Sequence, residues 1–124
     1  MNPHEEWLFK ADRDLRGAKG MLDLELEDLS VYHSQQCAEK ALKGYLFYQL
    51  QPIPKSHDLG RLFGLCVSLD ADFFDVETEI KGLEGLDVRF RYPDVDLVPD
   101  IATTQEAIDF AEIVLNFVVD KCLE

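Results

Sequence analysis

Apolar residues recur at spacings of three and four over most of the chain, a period that commits it to packed helices. Trp7, Ala11, Leu15, Ala18 and Leu22 form one continuous stripe, which predicts a first helix over residues 3–28. Val31, Ala38, Ala41, Leu42, Tyr45 and Gln49 share an arc of a second helix, residues 30–50, with Asp28 or Ser30 as its cap. Pro52 and Pro54 end it, since neither has a backbone donor and each pushes the residue before it out of the α region. Ser56 is placed to cap a third helix, with Asp58 in its first turn and Leu59, Leu62, Phe63 and Cys66 facing inward. Asp70 or Asp72 is placed to cap a fourth, Phe73 to Leu86, whose stripe is Phe73, Val76, Ile80 and Leu83. A capping box, Thr103 to Glu106, opens a last helix striped by Ala107, Ala111, Val114, Val118 and Cys122.

Residues 87–102, DVRFRYPDVDLVPDIA, interrupt this pattern with two prolines and four aspartates. Val88 to Tyr92 alternates like a strand, but a lone five-residue strand has no partner, so the segment reads as a structured loop. The expected fold is all-α: an antiparallel up-and-down bundle of four to five helices, one domain over residues 1–124.

The chain carries 12 basic and 25 acidic side chains, a formal net charge of −13. That excess opposes duplex DNA and generic RNA binding, which needs many cations near phosphates, and equally an anionic membrane surface. It is uneven: residues 62–124 hold 4 basic and 15 acidic side chains, against 8 and 10 in residues 1–61. The N-terminus is polar, and no apolar run approaches the roughly 18 residues of a membrane span, so neither a leader nor a span is expected. Cys37, Cys66 and Cys122 lie far apart among apolar residues, which fits reduced core thiols in a cytoplasmic protein. No zinc, phosphate-loop or dinucleotide spacing occurs, and neither a metal nor a cofactor is expected.

Two segments carry candidate chemistry. His33 to Lys43, HSQQCAEKALK, puts Gln36, Lys40 and Lys43 on one arc of the second helix, opposite the core, with His33 and Glu39 at its flanks. This arc is either a phosphate-binding ladder or a solvated face with a Glu39–Lys43 pair. Arg89, Phe90, Arg91 and Tyr92 form a cationic island in the acidic half. Its arginines suit bidentate phosphate contacts with Tyr92 stacking, or they pair with Asp87, Asp94 and Asp96. An extended stretch sends Arg89 and Arg91 to the same side. His57, in Ser56-His57-Asp58-Leu59, suits a local capping role.

Taken in order, Trp7-x3-Ala11-x2-Asp14-Leu15-x2-Ala18, His33-x-Gln35-Gln36-x-Ala38-Glu39-Lys40-Ala41-Leu42-Lys43, His57-Asp58-Leu59, Arg91-Tyr92-Pro93 and the alanines Ala107 and Ala111 resemble a HEPN domain. The resemblance spans almost the whole chain. It implies a compact helical bundle, a homodimer, and partnership with a minimal nucleotidyltransferase in a toxin–antitoxin-like pair. It also implies a nucleotide ligand near the polar face of the second helix and the arginine loop. One branch of that family consists of metal-independent endoribonucleases with an Arg, a small polar residue, and a His four to six residues beyond the Arg. Here Tyr92 follows Arg91, and no histidine occurs after His57. The loop offers only aspartates, poor general acids at neutral pH, so ribonuclease activity is not assigned.

Three readings follow. The first is a non-catalytic module binding a nucleotide or phosphate through Gln36, Lys40, Lys43, Arg89, Arg91, Tyr92 and His33 beside its nucleotidyltransferase. The second is an atypical endoribonuclease using His33 or His57. The third is an interaction protein whose acidic half docks a basic partner. The third gains if Lys40, Lys43 and Arg91 are each consumed by a carboxylate. Phe9, Phe47 and Phe117, off the main stripes, fit a dimer contact or cover the bundle ends.

Overall fold

The computed structural model describes residues 1–93 and 97–123. Long helices dominate it: α1 (Pro3–Asp23), α2 (Glu27–Tyr48), α3 (Leu59–Leu69), α4 (Glu77–Leu83), a four-residue α5 (Leu86–Arg89) and α6 (Ile101–Cys122), with a 3₁₀ helix at Ala71–Val76. No strand occurs among the described residues. The all-α bundle implied by the stripes is the observed fold.

Helix ends depart most from expectation. α1 stops at Asp23, not residue 28, because Glu25 turns left-handed (φ 60°) and the amides of Glu25 and Leu26 close on Leu22 and Met21 carbonyls. The end of α2 repeats this device. Leu50 is left-handed (φ 56°), and Leu50 and Gln51 donate to Phe47 and Leu46, so the helix ends before Pro52 acts. Asp28 and Ser30 lie inside α2 rather than capping it, and the Ser30 hydroxyl instead donates to the Ala18 carbonyl of α1 at 2.7 Å.

Downstream, Asp58 rather than Ser56 caps α3, accepting from the Arg61 amide. The expected fourth helix is split. Phe73 and Val76 reach the core from a 3₁₀ turn, where residues three apart eclipse, and Gly85 (φ 77°) breaks the chain after α4. Its end, Leu86, together with the first residues of the expected loop, forms α5. Asp100 caps α6, accepting from the Thr103 amide at 2.7 Å, so the helix starts two residues before the predicted capping box.

α1 and α2 pack antiparallel along their length. A Cβ at Gly44 would stand 3.1 Å from Leu8 Cδ2 and 3.3 Å from Trp7 Cβ, so the bare glycine permits this approach. α6 lies against both, and α3 lies along α2, with Cys66 Sγ 3.8 Å from the Leu42 carbonyl. Phe73, wholly buried, locks the elements together through Tyr45 of α2 (4.5 Å between rings) and Phe117 of α6 (4.9 Å). Burying such a ring contributes about 2–3 kcal/mol. Phe117 thus covers the core, whereas Phe9 and Phe47 stay exposed. Lys121, near the end of α6, bridges Asp70 (2.9 Å) and Asp72 (2.6 Å) at the α3 corner.

Two measurements check this account. Leu50 is 89% exposed, so Leu50→Gly relieves its left-handed strain without losing packing. Urea unfolding is expected to show a gain of about 0.5–1 kcal/mol. The Lys121 ammonium holds the Asp70 carboxyl below its usual range. Its stabilisation is therefore present above the ordinary aspartate pKa of about 4 and lost as pH falls through the lower native value. Lys121→Met is expected to destabilise at pH 7, with the deficit shrinking in urea titrations below about pH 4.

Candidate functional site

α2 positions the candidate groups, and its burial decides what they can do. Buried residues run most of the way round it, leaving Leu29, Tyr32 and Phe47 exposed and Glu27, Asp28, His33, Gln36, Lys40 and Tyr48 partly so. The polar arc expected to face water is therefore covered at both edges. At one, where both cations stay partly exposed, Asp14 of α1 accepts from Lys40 Nζ at 2.6 Å, while His33 Nδ1 lies 2.9 Å from its other oxygen. At the other, the buried Glu39 carboxylate accepts from Lys43 Nζ at 3.1 Å, and His57 Nδ1 lies 3.1 Å away. Each edge is thus a lysine, a carboxylate and a histidine in contact. The Glu39–Lys43 pair read as a surface feature exists, but it is buried, and Lys43 also sits 5.8 Å above the Trp7 ring. His57 does not cap α3, as Asp58 takes that role; it ties the segment ahead of α3 to α2.

The arginine island is also rearranged. Because Leu86–Arg89 is a helical turn, the alternation that sent Arg89 and Arg91 to one side does not hold. Arg91 pairs with Asp87 at 3.2 Å, and the Arg89 guanidinium stands 5.1 Å over the Phe90 ring. The pairings expected with Asp94 and Asp96 fall outside the described residues. Tyr92 is exposed.

Where α2, the start of α3 and the α4–α5 turn meet, a cleft of about 720 Å³ opens. It brings Gln36 and Arg91 together with His57, but Lys40, Lys43, His33, Arg89 and Tyr92 are not on its walls. Tyr32 and Gln35 of α2, Asp58, Glu84 and Asp87 also line it, and sequence reasoning had singled out none of these for the site. The signal that was available is the helical spacing of Tyr32, Gln35 and Gln36. Of the two histidines open to a nuclease reading, only His57 borders the cleft.

The thiols are poor nucleophiles. Burial pushes Cys37 and Cys66 up to about 12 and Cys122 up to about 11, and all three are free. Among the described residues, no cluster of three or more His, Cys, Asp or Glu side chains could hold a metal ion. No helix among them is long and apolar enough to cross a membrane.

Residues 4–122 match the HEPN domain family. The chain belongs to it. Two solved structures share the fold over nearly their full length. TT1696 from Thermus thermophilus has 30% identity and a TM-score of 0.80, covering 98% of this chain and 99% of its own. An archaeal HEPN homologue, ST0689, has 28% identity and a TM-score of 0.75, with the same coverage of both chains. No curated protein matches.

In this HEPN domain, removing Glu39 strands the Lys43 ammonium in the interior. Glu39→Ala is expected to cost about 3–5 kcal/mol in urea unfolding. Adding Lys43→Met should recover a large part of that loss, because the stranded charge is then gone.

Proposed function

We propose that this HEPN domain is a non-catalytic interaction module, homodimeric, whose acidic second half docks a basic partner. One observation carries this reading: the cations available for a phosphate are already engaged. Lys40 is held by Asp14 at 2.6 Å, Lys43 by buried Glu39 at 3.1 Å and Arg91 by Asp87 at 3.2 Å. A phosphate would have to displace a carboxylate at each. The family resemblance makes a minimal nucleotidyltransferase the natural partner, in a toxin–antitoxin-like pair. The free thiols suit a cytoplasmic setting.

The homodimer draws support from an apolar hollow of about 580 Å³ between the start of α1 and the end of α2, bordered by Met1, Trp7, Phe9 and Phe47. Phe9 and Phe47 are both exposed there, and a two-fold contact would bury them against their own copies.

A second reading, a bound nucleotide or phosphate, is favoured by the cleft that joins Gln36 and Arg91. Arg91 is half-exposed while its partner Asp87 is largely covered, so a phosphate would approach from the open side of the arginine. Calorimetry with a nucleotide panel separates the readings. Binding abolished by Arg91→Ala supports the second, and an empty titration removes it.

The dimer is checked by light scattering on the full chain. Twice the 14.2 kDa chain mass is expected, falling to the monomer in Phe9→Ser/Phe47→Ser. Docking is checked by co-expression with a nucleotidyltransferase. The complex is expected to weaken between about 0.05 and about 0.5 M NaCl, as screening shortens the Debye length from above 10 Å to below 5 Å. A complex indifferent to salt would count against the acidic docking surface.

A further inference from the structure

We infer that the groove between the α2–α3 crossover and the outer side of α3 docks an amphipathic helix of a partner protein, one with leucine-like residues along one side and carboxylates beside them. This surface is separate from the acidic one and does not depend on the docking reading.

The sequence sets up its charge. The crossover and α3, residues 49–69, hold two cations, Lys55 and Arg61, and one carboxylate, besides His57, which faces Glu39. That carboxylate, Asp58, caps α3 by accepting from the Arg61 amide. Arg61 is the one charged residue of α3 itself. In a chain of net charge −13, this stretch carries more positive than negative charge. Neither Lys55 nor the Arg61 side chain has a carboxylate partner among the described residues.

Packing makes the surface concave. α3 buries Leu59, Leu62, Phe63 and Cys66, and its other side presents Arg61, Leu65, Ser68 and Leu69 at helical spacing. Those four line a groove of about 390 Å³ together with Pro52 and Pro54 of the crossover and Leu46 of α2. Leu46 is buried, whereas Leu65 and Leu69 stay exposed. The Ser68 hydroxyl already donates to the Leu65 carbonyl at 2.7 Å, so it asks nothing of a partner. The groove therefore offers apolar surface and a free guanidinium.

A second observation is independent of charge. Leu50, next to the groove residue Gln51, combines left-handed backbone (φ 56°) with an exposed side chain. Leucine is disfavoured there on both counts, since glycine takes this backbone freely and an apolar side chain gains nothing in water. A contact that covers the side chain offsets both.

An extended segment is the poorer occupant. Pro52 and Pro54 have no N–H to offer it, and no strand edge exists among the described residues. A helix satisfies its own backbone and needs only side-chain contacts. Leucines three and four apart would cover Leu65 and Leu69, and a carboxylate would meet the Arg61 fork through two hydrogen bonds. A basic helix would instead bring like charge to Arg61 and Lys55.

The test uses the full chain, isotope-labelled, titrated by NMR with the helical peptide acetyl-Glu-Ala-Leu-Glu-Glu-Leu-Leu-Glu-Ala-Leu-Glu-Glu-Ala-amide. One control replaces every glutamate by lysine, and another replaces every leucine by alanine. The backbone amides of residues 50, 51, 53, 55 and 61–69 are expected to shift with the first peptide and with neither control. Arg61→Gln is expected to weaken binding about fivefold and Leu65→Ser about tenfold. Leu50→Gly is expected to raise stability in urea yet lower affinity about threefold, a split that a purely structural leucine would not show. Equal binding of either control, shifts scattered over other faces, or affinity unchanged in all three variants overturns the inference. So does a concentration dependence of the amides of residues 61–69 in peptide-free protein, which would seat a second copy in the groove.

Discussion

Helix α2 is covered on most sides, and a covered helix must satisfy its charged side chains inside the protein, even though the small Ser34 hydroxyl finds no partner among the described residues. That requirement organises the rest of the molecule. Lys40 and His33 draw Asp14 of α1 onto one flank, while Glu39 gathers Lys43 and His57 on the other. The first fixes the α1–α2 pair. The second brings the segment ahead of α3 back alongside the middle of α2, so α3 begins where the cleft needs a wall. The apolar core supplies most of the driving force, but these contacts choose which faces meet.

The inward residues were legible in the sequence because burial imposes a period on composition. Ala11, Leu15 and Ala18 in α1, Leu62 and Cys66 in α3, and Val114 and Val118 in α6 all came from spacing and all lie in the core. Helix ends were less legible. Glu25 and Leu50 occupy left-handed positions where glycine is the usual signal, so nothing in the local sequence marked the stops. The 3₁₀ turn at Ala71–Val76 was hidden because Phe73 and Val76, three apart, satisfy either helix type.

The polar residues were read as a pattern but not as an environment. One helix taken alone places Gln36, Lys40 and Lys43 together on a face. It does not say that α1 and the segment before α3 will close over its edges. Arg91 and Gln36 do meet in one cleft, yet the residues that set that cleft's character, Asp58, Glu84 and Gln35, come from three separate parts of the chain. Convergence of that kind is written in tertiary contacts, which no single-segment period records.

The His57–Glu39 contact has a consequence for tolerance to change. The segment from Gln49 to Ser56 is anchored at both ends, by the closing turn of α2 and by this link. Closure entropy grows only slowly with added length, so the exposed part of the segment tolerates lengthening while Ile53, packed against the core, holds its inner side. An insertion on the exposed outer curve beside Pro52 would therefore change that surface while leaving the geometry of the cleft in place.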